Sequence, residues 1–199
     1  MNPTRPRGRR PGNTDTRREI REAALAMFYR HGYEKVSLRS VAREAGVDPA
    51  LIHHYFDSKS DLFAEAVLDI DLPDPKEMVA RALAGDRATI GERVVAEVLQ
   101  IWETPEVKTR LIAMLRASVN GSEMQRPFSQ FLAAEYFAKI ATQLGHHDAK
   151  QRAALAFSLI VGLTTARDLL ESPNLASLSQ RQLIAAAGAA MQAYLVESW

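Results

Sequence analysis

A chain of 199 residues, 47% of them hydrophobic, is long enough to bury a substantial core, and length alone accommodates one domain or two small ones. Cysteine is absent, which excludes disulfide frameworks, thiolate metal sites and cysteine nucleophiles and makes a reducing, cytoplasmic location the expectation. The net charge of +1 conceals an asymmetry: residues 1–63 carry 12 Lys/Arg against 8 Asp/Glu, residues 64–199 carry 13 against 16, and the front is therefore basic and the rear acidic.

The chain starts with Arg5, Arg7, Arg9 and Arg10 and no acid, among prolines and glycines, over residues 1–14. Such a segment cannot build a core. It reads either as an arm laid on phosphate or in a minor groove, or as a solubilising tail, and nothing in it resembles a secretory signal. A helical period follows: Ile20, Ala23, Ala24, Met27 and Phe28 form one apolar stripe, with Thr14, Asp15 or Thr16 as cap and Gly32 as stop, predicting a helix over 16–31. Ser37 caps a second, short helix that turns Leu38, Val41, Ala42 and Ala45 inward and ends at Gly46. A third starts with Asp48 as cap oxygen and Pro49 at the first helical position, and ends near Phe56. Ser58 and Asp61 then form a capping box ahead of Leu62, Phe63, Ala66, Val67 and Ile70, predicting a fourth helix to about Asp71.

Leu72-Pro73-Asp74-Pro75 breaks the pattern, because each proline drives its predecessor out of helical dihedrals. A domain boundary is placed there, dividing residues 15–71 from 76–199. Downstream, helices are predicted over 76–84, 88–103, 105–119, 123–144, 148–171 and 179–197, with no strand signal between them. The most apolar stretch, Ala153 to Ala166, is shorter than a membrane span and carries Ser158, Gly162, Thr164 and Thr165, so no membrane partner is expected. Small and apolar residues occur all around that helix, and the last is rich in alanine and glycine. Further surface must cover them. Either they form a buried pair within one chain, or they build a four-helix interface between two copies, using Leu155, Leu159, Gly162, Leu163, Ala166, Ile184, Ala187, Met191 and Leu195.

Residues 37–56 meet the steric requirements of a helix-turn-helix. Val41 and Ile52 pack two short helices together, Ala42 stands where their axes approach, Gly46 takes the turn, Val47 seals it, and Tyr55 and Phe56 anchor the second helix. Thr16 to Ala24 and on to Phe28, Arg30-His31-Gly32-Tyr33, Ser37 to Val47 and His54 to Lys59 together resemble the N-terminal domain of TetR-type repressors, without a gap over about residues 15–65. The resemblance implies an all-α homodimer with its third helix in the major groove of a palindromic operator, and a divergent C-terminal helical bundle for dimerisation and an unknown small-molecule effector that releases the DNA. One departure is His53-His54-Tyr55-Phe56, where the family often has an aromatic residue, any residue, His and Phe.

Within that frame, chemistry assigns roles. Asp48, Ala50, His53 and His54 face outward to read bases, and Pro49 offers an apolar contact, for instance to a thymine methyl. Ser37, Arg39, Ser40, Tyr55 and Lys59 bind phosphate, and Arg9 and Arg10 extend the contact from the arm. Trp102, Met114, Phe128, Phe131, Tyr136, Phe137 and Phe157 are the candidates for lining an effector pocket, with plain core as the alternative for each. Nothing points to an enzyme, a cofactor or a metal. His146 and His147 are adjacent and diverge, no His pair sits at i and i+4 beside a carboxylate, and no phosphate loop or nucleophile elbow exists. An interaction protein that keeps the helix-turn-helix without using DNA is the competing class.

Overall fold

The computed structural model describes residues 14–69, 72–119 and 125–198, with side chains for 16–69, 72–113 and 127–198. The basic arm with Arg9 and Arg10, and Ile70, lie outside the described residues. The first helix, α1 (Thr14–His31), buries Ile20, Ala24, Met27 and Phe28 along one stripe. Gly32 stops it at φ 77°, its N–H reaching the Phe28 carbonyl at 2.9 Å.

The next three helices are short and are fixed by their ends. On α2 (Leu38–Ala45), the Ser37 hydroxyl accepts from Ser40 N–H while the Ser40 hydroxyl accepts from Ser37 N–H, a complete capping box. Gly46 closes it at φ 67°, and Val47 N–H bonds back to the Ala42 carbonyl at 3.0 Å. Asp48 caps α3 (Pro49–Tyr55), its Oδ1 accepting from Ala50 N–H at 2.8 Å. Ser58 caps α4 (Lys59–Phe63) through Asp61 N–H at 3.0 Å, but the Asp61 carboxylate answers to Asp57 N–H rather than to the cap residue.

The long helix expected to run to Asp71 does not continue in α form. After Phe63 the backbone widens into a π-helical turn over Ala64–Leu68 and ends at Asp69, φ 53°. Phe63 and Leu68, five residues apart, thereby both face the core, whereas Ala66 and Val67 are only half-buried. The predicted helix over 123–144 divides in the same way, into α8 (Gln125–Leu132), a π turn over Ala133–Phe137 and α9 (Ala138–Gln143).

The remaining elements are α5 (Pro75–Leu83), a 3₁₀ turn over Arg87–Thr89, α6 (Ile90–Trp102), α7 (Pro105–Val119), α10 (Ala149–Thr164) running into a π turn over Thr165–Leu169, α11 (Pro173–Ala176) and α12 (Gln180–Leu195). The turn α11 begins at the proline that the sequence marked only as a break, since proline suits a first helical position. Among the described residues there is no strand, and no helix is long and apolar enough to cross a membrane.

Two apolar cores result, and they do not divide at the proline-rich link. The first gathers α1 to α4 but also Trp102, Val107, Leu111, Phe128 and Phe131; the second holds α5, α6, α9, α10 and α12. In the second core α12 lies against α6. Ala187, Met191 and Leu195, expected on an interface between copies, are buried here within their own chain. The correction follows from geometry: α12 meets α6 at two glycines, and this close approach sets that stripe inward. A Cβ added at Gly91 would stand 2.2 Å from the Gly188 carbonyl oxygen.

The C-terminal end of α12 is held by a buried cation. Arg152, 2% exposed, donates from Nε to Asp148 at 2.7 Å and from Nη1 to the carbonyls of Tyr194 and Glu197 at 2.9 and 2.8 Å. A guanidinium serves these three acceptors through a planar fork that an ammonium lacks. Arg152→Lys is expected to destabilise the fold by about 2 kcal/mol, as the Tyr194 and Glu197 carbonyls lose charge-assisted partners. A urea midpoint equal to the wild type would contradict this clamp.

Candidate nucleic-acid interface and internal cavity

The surface around α3 is built by burying one side of a seven-residue helix and exposing the other. Ile52 and Phe56, 0% and 1% exposed, pin it to Val41 and Ala42 of α2, both at 0%. Asp48, Pro49, Ala50, His53 and His54 are left exposed together, as anticipated. Leu51, 38% exposed, belongs with them and was missed. The signal was available: Ile52 and Phe56, four residues apart, define the inward stripe of this segment, and Leu51 falls outside it.

Ser37 and Arg39 are exposed at the start of α2, and Ser40 is half-buried. The two hydroxyls are engaged with each other at 3.1 Å and with the cap, so they present oriented groups. Tyr55 is half-buried, its ring edge-on to His54 at 4.9 Å. Lys59 differs from the rest. Its ammonium lies 4.2 Å from the centre of the Tyr33 ring and 3.4 Å from the Glu34 carbonyl, and burial lowers its pKa from the ordinary lysine value.

Between the two cores is a cavity of about 80 Å³. Trp102, Phe128, Phe131, Tyr136 and Phe137, five of the seven candidates, line it. Phe157 does not reach it and packs edge-on behind Phe128 at 6.5 Å; the Met114 side chain lies outside those described. Leu68, Leu72, Pro73 and Pro75 were missed as lining residues. In the sequence they read only as the end of one helix and a break before the next.

The cavity's polar atoms are turned to other partners. Trp102 Nε1 donates to Asp168 at 3.0 Å, away from the rings. Burial alone would raise the Asp168 pKa, but hydrogen bonds from Arg167 and Lys108 outweigh it and hold the carboxyl below its usual range. The Tyr136 hydroxyl donates to Glu97 at 2.7 Å, and Glu97 is paired with Arg81. The Thr164 hydroxyl donates to the Ile160 carbonyl at 2.9 Å.

Glu135 is the wall residue that joins cavity to front domain. Its Oε1 accepts from the Tyr33 hydroxyl at 2.9 Å and its Oε2 from Lys139. One π turn earlier, Gln130 Oε1 accepts from Tyr33 N–H at 2.9 Å. Residues 130 and 135 would diverge on a regular α-helix; the wider π spacing sets both against Tyr33. Burial first, and then the Glu135 carboxylate, push the Tyr33 pKa far up, so its hydroxyl stays a donor. Phe131 stacks on Phe63 at 4.7 Å and meets Tyr33 edge-on at 5.3 Å.

No group of three or more His, Cys, Asp or Glu suited to a metal exists among the described residues. Residues 20–66 match the bacterial regulatory proteins of the tetR family, and residues 88–195, more than half the chain, match the tetracyclin repressor-like C-terminal domain. The chain is 29% identical over 162 residues to the HTH-type transcriptional regulator BetI of Agrobacterium fabrum, covering 79% of each. It is 39% identical over 79 residues to the HTH-type transcriptional regulatory protein RaaS of Mycobacterium tuberculosis, 40% of this chain and 36% of that one. Among solved structures, a TetR-family regulator from Streptomyces coelicolor shares 30% identity at a TM-score of 0.47, over 94% of this chain and 98% of that one. The matched families and curated relatives are transcriptional regulators and not enzymes, and this chain, a DNA-binding helix-turn-helix regulator, belongs to the TetR family.

Proposed function

We propose that two copies of the chain form a repressor that places both α3 helices in successive major grooves of a near-palindromic operator, and that a small molecule in the internal cavity releases it. The observation that carries this reading is the face of α3: Asp48, Pro49, Ala50, Leu51, His53 and His54 stand outward on a helix held by buried Ile52 and Phe56. On this reading the histidines choose bases, with Pro49 and Leu51 as apolar contacts, while Ser37, Arg39, Ser40 and Tyr55 fix register on phosphate. Lys59 joins them only by leaving the Tyr33 ring. Arg9 and Arg10 of the arm add backbone or minor-groove contacts.

The copies meet through α10 and the outer side of α12. Leu155 is 37% exposed, Gly162 has open space where a Cβ would stand, and Leu159, Leu163, Ala166 and Ile184 are half-buried. Binding to adjacent major grooves requires a two-fold axis through this patch to hold the α3 pair roughly 34–36 Å apart, and release follows when ligand shifts that spacing.

Selection of bound DNA from a random pool by the purified protein tests the reading. An inverted repeat is expected, with affinity falling about a thousandfold between 50 and 200 mM salt, and His53→Ala changing the preferred bases. Salt-independent binding would exclude phosphate contacts as the source of affinity. An unaltered motif from His53→Ala would remove His53 from base reading, and no selected sequence at all would favour an interaction module.

A further inference from the structure

The wall of the cavity specifies the chemistry of what fits inside. Rings of Trp102, Phe131 and Tyr136 face aliphatic side chains of Leu72, Val98 and Val161. At about 12 Å³ per enclosed water-sized sphere, 80 Å³ accommodates on the order of six waters, which in liquid would fill about 180 Å³. That is the bulk of one six-membered carbon ring with at most a small substituent.

Charge is what the wall does not accommodate. Glu135 is the acid of the lining, and both of its oxygens are engaged, one by the Tyr33 hydroxyl and the other by the Lys139 ammonium, which also balances its charge. A cation seated on the aromatic rings would have to displace Lys139 or remain without a counter-ion, and an aromatic face returns less than the desolvation of a bare charge costs. An anion would find no basic residue in the lining. The Tyr136 hydroxyl, the Trp102 N–H and the Thr164 hydroxyl are donors already given to Glu97, Asp168 and Ile160.

We propose that the cavity is a binding site for an uncharged, hydrocarbon-rich molecule of about seven carbons and excludes cations and anions of the same shape. The proposal deepens the effector reading given above and rests on it for any effect on DNA, though ligand binding itself is measured without DNA.

The test is calorimetric titration of the purified protein at neutral pH with three probes of one skeleton: 4-methylcyclohexanol, 4-methylcyclohexanecarboxylate and 4-methylcyclohexylammonium. The alcohol is expected to bind about 100-fold more tightly than either ion, with the negative heat-capacity change of apolar burial. Val161→Phe, which fills the cavity, is expected to abolish that heat while circular dichroism and the melting midpoint stay near wild type. If that variant unfolds, the three-probe series on the wild type decides alone. Absence of alcohol binding, an ion binding as tightly as the alcohol, or undiminished binding by folded Val161→Phe overturns the proposal. A gel shift with selected DNA separates the two readings: alcohol that binds but leaves the retarded band unchanged removes the effector role and leaves the ligand class standing.

Discussion

Gly91→Ala is expected to lower the stability of the protein by about 3 kcal/mol, the upper range for forcing a methyl into a closed interior, and its melting midpoint by about 6–12 °C. The added Cβ would sit 2.2 Å from the Gly188 carbonyl oxygen, 2.4 Å from Gln192 N and 2.8 Å from Gln192 Cα. All three are backbone atoms, so no side chain can swing aside, and α12 must move off α6. That movement also breaks the bond from Gly91 N–H to Gln192 Oε1 at 2.8 Å, and with it the reach of Gln192 Nε2 to the Arg87 carbonyl at 2.9 Å. Alanine otherwise favours a helix interior over glycine by about 1 kcal/mol, so any loss measured is a net figure against that gain. Thermal unfolding followed by circular dichroism checks it. A midpoint at or above wild type would show that the two helices do not touch as closely as placed.

This crossing marks a limit of what the sequence displays. Alanine and glycine along α12 announce that some helix comes near, and both possible neighbours, α6 of the same chain or α12 of another, demand the same small residues. Ala187, Met191 and Leu195 were therefore assigned outward on a pattern equally compatible with facing inward. By contrast, α2 and α3 were legible almost to the residue. Their limits are set by groups within three or four positions: Ser37 with Ser40, Gly46, and Asp48 with Pro49. Local chemistry leaves a local mark, whereas pairing of distant helices does not.

The π turns lay between those cases. Phe63 and Leu68, or Phe131 and Tyr136, are spaced by five, which a search for three- and four-residue periods passes over. Reading the apolar residues for a fifth-residue interval would have flagged both. It would not have revealed their use, because the polar pair Gln130 and Glu135 acquires meaning only once Tyr33 is seen opposite, about a hundred residues earlier in the chain. Five aromatic candidates reach the cavity because large rings on middle helices have few places to go, while Leu68, Leu72, Pro73 and Pro75 enter it from positions that carry no helical period of their own.

Tyr33 supports the largest effect expected at this junction. Its ring, 2% exposed, stacks on Phe28 at 5.7 Å, meets Phe63 and Phe131 edge-on at 5.1 and 5.3 Å, and carries the Lys59 ammonium on one face. Tyr33→Ala is expected to cost about 4 kcal/mol, since an aromatic cavity opens where two cores join. Tyr33→Phe keeps every ring contact and removes only the bond to Glu135, which remains paired with Lys139; its expected cost is about 1 kcal/mol. The pair of variants separates packing from communication. If cavity occupancy reaches α3 through Glu135 and Tyr33, Tyr33→Phe should bind DNA and ligand nearly as the wild type does, yet ligand should weaken its DNA affinity about fivefold less, a coupling loss of about 1 kcal/mol. DNA titrations with and without saturating ligand, on both proteins, measure that ratio. Identical ratios would place the route elsewhere, through the stacked Phe131 and Phe63 rings that both proteins keep.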